Sequence, residues 1–486
     1  MGKGSLPLFL AASLLGCGEW SEQADGPGGR VPTVSLDIDP YVVDLGTDHA
    51  KLAFRTRGVS APLVRFGLTL DYEIHTTRLA EGLQHAVVLD GLEPDTTYHY
   101  EVGRIARGSF RTDPIDGGFS FVAIGHTHGA EGYGHYPDSQ LISMVDGLDP
   151  SFVIHSGDAT FHAVVADYKE YYFRLFRRLQ SRVPVYISPA NHDAGWPFTQ
   201  GRDLRTFKEL FPYPFPDGIR NDKENAHYRI EKAGVLLLFL SYTSPLEPGS
   251  PQYEWLSEQL TTSEHPFKFL VLGGSNEQYF DEQRLLDLAG DRGVDAVFMG
   301  DGSSSEARRE HQGMPVYFTG TLEGLPHPLL YCEVFEDRVL VRLYFANGTP
   351  GPMLDWIYAD HEIVAKRELS TDFLPRVAGS AGHRLRYEFS PALSVPEFLG
   401  IQLTFESALD EGYTVWASFR PKDATDPGEA AIRTQHRRYR GERGERVRLA
   451  FPETNPFTGK GMEITHIVVE VLGVGDAPAI ESVILY

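Results

Sequence analysis

The 486-residue chain is poor in cysteine, in basic residues and in long apolar runs. Its two cysteines, Cys17 and Cys332, exclude a disulfide framework and a cysteine-rich zinc site. Any bound metal must therefore rely on His, Asp, Asn and Glu. Lys and Arg number 44 against 67 Asp and Glu, a formal net charge of −23. That balance argues against nucleic acid as a partner and supplies no basic surface for anionic lipid. No stretch after the first few residues has the length and apolarity of a transmembrane helix; Val235–Leu240 reads as a buried strand. What remains is an ordinary globular composition, 42% hydrophobic and 23% charged, with 23 Tyr and 29 Phe. At about 100–200 residues per domain, the length predicts roughly two to four domains.

The N-terminus carries Lys3 and then the apolar run Leu6–Leu15, too short for a bilayer and of signal-peptide length. The run ends in Leu14-Leu15-Gly16-Cys17, which resembles the lipobox of bacterial lipoproteins. The resemblance implies that residues 1–16 are a signal peptide and that Cys17 is lipidated. The exported protein would then be anchored in the cell envelope, with the polar, Gly-rich residues 17–31 as a tether. The alternative is an ordinary secretory signal with a chance cysteine. Cys332 lies in the strand-like Leu329–Val334 and is expected to be an inert core thiol.

A multidomain chain follows. Residues 32–113 show short alternating strands and turn signals, as in a small β-sandwich. Within them, Leu92-Glu93-Pro94-Asp95-Thr96-Thr97-Tyr98 resembles the corner of fibronectin type III domains, which position or bind and are rarely catalytic. Residues 118–347 alternate strands and helices. The strands are Phe119–Ile124, Val183–Ile187, Gly234–Leu240, Phe267–Leu272 and Val294–Met299, and Tyr168, Tyr171, Tyr172, Leu175, Phe176 and Leu179 form one helical face. Residues 365–486 return to β patterning, a C-terminal β-sandwich that names no ligand. Its basic run Arg437–Arg446 reads as a solvated hairpin.

In α/β folds, ligands gather where strands end. The strand ends of the middle region read Gly125-His126-Thr127-His128-Gly129, Gly157-Asp158, Ala190-Asn191-His192-Asp193, Gly273-Gly274-Ser275-Asn276 and Gly300-Asp301-Gly302-Ser303. Order and spacing resemble the calcineurin-like metallophosphoesterases. The fibronectin-like first region narrows the likeness to the purple acid phosphatase-like branch. The resemblance implies a central β-sandwich flanked by helices and hydrolysis of phosphoesters at two bridged cations. Asp158 would bridge, Asn191 would ligate through its amide oxygen, and His126, His128 and Asp301 would complete the ligand set. His192, held by Asp193, would assist the leaving oxygen as an acid or stabilise the developing charge.

Several positions depart from that pattern. His126 stands where the family has Asp, Gly273 or Gly274 where it has His, and Asp301 and Ser303 where it has Gly-His-x-His. Phe161 replaces the tyrosine of the purple enzymes, so no charge-transfer colour is expected even with iron. One half-site keeps His126, His128, Asp158 and Ser303, suited to a single Zn²⁺, Mn²⁺ or Fe²⁺. The other has Asp158, Asn191, Asp301 and a glycine, an oxygen-only set for weak Mg²⁺ or Ca²⁺. A full dinuclear centre is not expected. Two functions follow: impaired metal-dependent phosphoester hydrolysis, or a non-catalytic surface protein whose cleft and β domains bind a ligand, glycan or partner. His126 and His128 could equally be loop histidines filling the space of a lost ion. Asp301–Ser305 has plain turn composition, and the resemblance gives no role to His135, His155 or His162.

Overall fold

The computed structural model describes residues 34–115, 118–128, 139–196, 203–219, 222–274, 281–300, 307–311, 314–320, 328–335, 338–348, 350–358, 367–374, 382–394, 400–406, 414–422, 432–437, 446–450, 463–472 and 479–485. The expected lipidation site Cys17 lies outside these residues. So do Asp301, Ser303, Glu306, His135 and most of the basic run 437–446.

Strands β1 (Leu36–Leu45), β2 (His49–Ser60), β3 (Leu63–Gly67), β4 (His75–Arg78), β5 (Gly82–Asp90), β6 (Thr97–Val102) and β7 (Ala106–Arg111) form an N-terminal sandwich. One sheet runs β1-β2-β5 and the other β4-β3-β6-β7, all antiparallel. Alternation explains the strands: in β5, His85, Val87 and Leu89 face inward and their neighbours outward. At the corner before β6, the Tyr98 hydroxyl accepts the Glu93 N–H at 2.8 Å.

β1 carries three register shifts against β2, which let it serve two cores. Val42 and Leu45 pack inside the sandwich, whereas Ile38, Tyr41 and Val43 join the core of the middle region. The Tyr41 ring packs 4.8 Å from Phe173 and 6.3 Å from Phe211, and its hydroxyl donates to the Leu210 carbonyl. Ion pairs rim this contact: Lys169–Asp37 and Arg177–Asp39 at 2.5 Å, and Arg55–Glu209 at 2.6 Å. Lys232 is buried, with Nζ 2.7 Å from Asp113 and 3.9 Å from Asp44.

The middle region stacks two six-stranded sheets. The first uses β8 (Phe119–Ile124), β9 (Phe152–His155), β10 (Val185–Ile187), β17 (Pro328–Val334), β18 (Arg338–Phe345) and β19 (Pro350–Tyr358), in the order β10-β9-β8-β17-β18-β19. The second uses β11 (Tyr228–Lys232), β12 (Val235–Leu240), β13 (Phe267–Leu272), β14 (Ala296–Met299), β15 (Arg308–His311) and β16 (Met314–Phe318), in the order β11-β12-β13-β14-β16-β15. β19 carries this unit past residue 347, where the sequence pattern alone ended it. Phe121 on the first sheet meets Phe269 and Phe298 on the second, at 6.3 and 5.9 Å between ring centroids. The parallel strands are buried throughout because helices Pro251–Thr262 and Glu282–Asp291 cover the second sheet with Leu256, Leu260, Leu285 and Ala289. The first of these helices is capped by Ser250, whose hydroxyl accepts the Tyr253 N–H ahead of Pro251.

Helix Val165–Asp167 passes through a wider, π-type segment, Tyr168–Phe173, into helix Arg174–Gln180. The extra width rotates the face expected from the sequence: Phe173 becomes buried, and Tyr171 and Leu175 are only half-buried. Such segments often mark functional sites, and this one brings Tyr168 to the centre described next.

The C-terminal region forms two four-stranded antiparallel sheets with a core of its own, including Leu385, Leu403, Phe419, Ile467 and Val469. The architecture is therefore an α/β core flanked by β-sheet regions at both ends, as the sequence pattern implied.

Candidate metal centre

β8 and β9 pair in parallel up to Ile124 and His155. Their pairing does not stop at the sheet edge. Ser156 N–H donates to Ile124 at 2.8 Å, His126 N–H to Gly157 at 2.9 Å and His128 N–H to Asp158 at 2.9 Å. The two loops thus leave the sheet side by side, which sets His126 and His128 opposite Asp158. Both His126 (φ +58°) and Asp158 (φ +55°) adopt the left-handed backbone region, uncommon for residues with a Cβ and frequent where a site holds strain.

His126 Nδ1 lies 3.2 Å and His128 Nε2 3.5 Å from the same oxygen, Asp158 Oδ2. One donor atom from each of the three side chains falls within 4.8 Å of the others, the one such group of ligands among the described residues. His128 is 8% exposed; its Nε2 faces Asp158, and its Nδ1 makes no hydrogen bond among the described residues. A buried imidazole in that state fits a ligand aimed at a cation better than a space-filling loop residue. Two imidazole nitrogens and a carboxylate suit one Zn²⁺, Mn²⁺ or Fe²⁺. The donor set fits a single ion and not a full dinuclear centre. Burial acts to raise the Asp158 carboxyl, but the charge of His126, and then the hydrogen bond and charge of His128, hold it well below the usual carboxylate range.

The structure separates His192 from Asp193, which the sequence reading had coupled. Asp193 is fully buried and turns inward. Its Oδ2 accepts the N–H groups of Asp158 at 2.7 Å and Ala190 at 3.0 Å; its Oδ1 accepts the Ala159 N–H and the Tyr168 hydroxyl, both at 3.1 Å. Burial, and then the charge of Asp158, push the Asp193 carboxyl up to about 7 against the pull of these donors. His192 is held instead by the Phe161 carbonyl, to which Nδ1 donates at 2.8 Å, and it stacks on the Phe161 ring at 5.0 Å. The ring lies 4.5 Å from that of His128, and the His192 backbone N–H donates to Asp158 Oδ1 at 3.2 Å. Burial lowers the His192 pKa, so the ring is neutral near pH 7, with the proton on Nδ1 and Nε2 as the acceptor.

Asn191 is half-buried in the turn that opens after Ala190. Gly273 and Gly274, one of which stands where the family resemblance puts an imidazole, differ in the room around them. A Cβ on Gly273 would stand 2.8 Å from Ala190 Cβ and 3.0 Å from its Cα, so no side chain fits there. A Cβ on Gly274 would meet only the Tyr242 ring and the Gly300 carbonyl, at 3.2 and 3.3 Å. Sequence reasoning missed Thr127, Tyr168 and the Phe161 carbonyl. Thr127 lies inside the first motif and Phe161 at the position of the family's tyrosine, but all three act through folding contacts that no motif spells out.

Residues 119–301 match the family model described as calcineurin-like phosphoesterase. The chain contains a calcineurin-like phosphoesterase domain, distantly related to the purple acid phosphatases. Among curated relatives, probable purple acid phosphatase 20 of Arabidopsis thaliana is 25% identical over 231 residues, 44% of this chain and 52% of that protein. Purple acid phosphatase 15 of the same plant is 22% identical over 251 residues, 45% of each chain. The chain spans about half the length of the curated relatives it matches. Purple acid phosphatase PPD1 from yellow lupin seeds superimposes with a TM-score of 0.50 over 66% of this chain and 74% of that one, at 14% identity, which shows the fold alone. Within this phosphoesterase domain the metal-ligand set is incomplete: His126, His128 and Asp158 converge, and glycine occupies the position of a further imidazole.

Proposed function

We propose that the phosphoesterase domain hydrolyses phosphoesters slowly, using one divalent cation held by His126, His128 and Asp158. The observation that carries this reading is the convergence of His126 Nδ1 and His128 Nε2 on Asp158 Oδ2. A cation so held supplies Lewis-acid polarisation and an activated water at neutral pH. The chain's own residues do the rest. Asp158 is oriented through Oδ1 by the His192 N–H, leaving Oδ2 toward the imidazoles. Neutral His192, its Nδ1–H committed to Phe161, is set to receive a proton at Nε2 and poorly set to give one as an acid. A net charge of −23 does nothing to attract a phosphate ester, which adds to the expectation of slow turnover.

The test is metal analysis of protein purified without chelator, alongside hydrolysis of p-nitrophenyl phosphate with added Mn²⁺ or Zn²⁺. Near-stoichiometric metal, with turnover lost in Asp158→Asn, supports the proposal. No bound metal and no turnover sinks it and leaves the rival, a non-catalytic protein whose cleft binds a ligand, glycan or partner. The rival is favoured by the loss of the imidazoles that the family has at the Gly273-Gly274, Asp301 and Ser303 positions.

The same proposal takes residues 32–113 as a fibronectin type III-like domain, supported by the Tyr98 hydroxyl at the corner before β6. It also places the mature protein in the cell envelope on a lipid at Cys17, supported by Leu14-Leu15-Gly16-Cys17. Among the described residues no helix is long and apolar enough to cross a membrane.

A further inference from the structure

We propose that His155, assigned no role by the family resemblance, is a positioning residue that sets the metal affinity of the His126–His128 loop. The inference rests on the single-cation reading above and adds to it a residue that touches neither cation nor substrate.

His155 is the last residue of β9, fully buried, with Tyr172 and Phe176 edge-on to its ring at 6.4 and 6.1 Å. Its Nε2 lies 2.8 Å from Thr127 Oγ1. Thr127 is itself fully buried and sits between the two imidazole ligands. Thr127 turns into the core toward His155, whereas the side chains of His126 and His128 on either side of it turn toward Asp158. Fixing the middle residue fixes both neighbours. The loop needs such a fastening because His126 holds a left-handed backbone conformation, which the chain would otherwise relax. The backbone bonds from His126 and His128 secure the loop along its edge. The His155–Thr127 bond is the side-chain bond that secures it in depth. The role differs from that of a core histidine, which fills volume and could be exchanged for another ring at no cost to the site.

The test uses the full chain and Zn²⁺ titration by competition with a chromophoric chelator, with thermal unfolding measured on the same samples. Thr127→Val removes the hydroxyl at nearly constant volume, His155→Phe keeps a ring, and His155→Gln keeps a hydrogen-bonding end. We expect Thr127→Val and His155→Phe each to weaken Zn²⁺ binding by about 10–100-fold, the range found when partners of metal-ligating groups are removed. We expect His155→Gln to retain most of the affinity. The Thr127→Val/His155→Phe double variant should be no weaker than the worse single one, because both remove the same bond. Affinities within twofold of wild type in Thr127→Val, or losses that add in the double variant, overturn the proposal. Should His155→Phe fail to fold, Thr127→Val alone decides. If the wild-type chain takes up no Zn²⁺, the single-cation reading falls and this inference with it; if wild type binds and the variants bind equally, only the inference falls.

Discussion

The carboxylate of Asp193 accepts the backbone N–H of Asp158 at 2.7 Å, and the side chain of one acidic residue thereby fixes the main chain of another. The same carboxylate ties down Ala159, Ala190 and Tyr168. Asp193→Asn swaps one acceptor oxygen for an NH₂ facing N–H or O–H donors. We expect a loss of about 2–4 kcal/mol in the unfolding transition of the middle region, from two or more buried groups left unpaired. Zn²⁺ affinity should fall by about 10–100-fold as Asp158 loosens. Urea unfolding and chelator competition measure the two effects. An unchanged affinity with reduced stability would confine Asp193 to a purely structural part.

Gly273 and Gly274 should respond in opposite ways to histidine. Gly273→His forces a Cβ against Ala190 and is expected to lower the melting temperature without adding metal. Gly274→His needs movements of a few tenths of an ångström by the Tyr242 ring and the Gly300 carbonyl and is expected to fold. It should raise metal content from about one ion per chain toward two, with faster phosphoester hydrolysis. Metal analysis of the two purified variants distinguishes them directly.

The seam between the N-terminal sandwich and the middle region should weaken in mild alkali. His49 bridges Asp44 at 3.5 Å and Asp48 at 2.8 Å, and Asp44 also faces Lys232. The hydrogen bond to Asp44, with that to Asp48, raises His49 to about 9 against the opposing effect of partial burial. The folded state therefore binds this proton more tightly than the unfolded state. Its contribution is complete below about pH 6.5 and is lost as pH rises through about 9. Because the side chain is 37% exposed, the effect is modest and weakens with salt. His49→Gln should flatten the stability profile over that window; an identical slope in the variant would show that other groups carry it.

Cys17→Ser is expected to move the protein from the membrane fraction to the soluble one after cell breakage, with p-nitrophenyl phosphate turnover unchanged. Retention on membranes would overturn the lipobox reading.

Much of this fold was legible because buried parallel strands leave an unmistakable trace. Phe119–Ile124 and Phe267–Leu272 are apolar runs broken only by Ser120 and Lys268, and both strands occupy those bounds. The convergence of His126, His128 and Asp158 was legible too, since ligand-bearing loops in α/β folds lie at strand ends. Side-chain direction was not. His192 and Asp193 are adjacent in sequence, yet the turn sends one toward Phe161 and the other beneath Asp158. Likewise the regular helical period over Tyr168–Leu179 could not register a wider turn that exchanges Tyr171 for Phe173 in the core. The partnership of His155 with Thr127 spans 28 positions and follows no motif, so only the folded chain displays it.

The shared core of β1 has a consequence for the order in which the protein is made. Tyr41 finds its partner Leu210 across 169 positions of sequence. A ribosome working at about 5–20 residues per second needs roughly 10–30 s to reach that partner. For the part of that interval after Arg111 is made, Ile38, Tyr41 and Val43 are left as an apolar strip of the sandwich without the core they join. The nascent chain must keep this strip from other apolar surfaces until the middle region arrives to cover it.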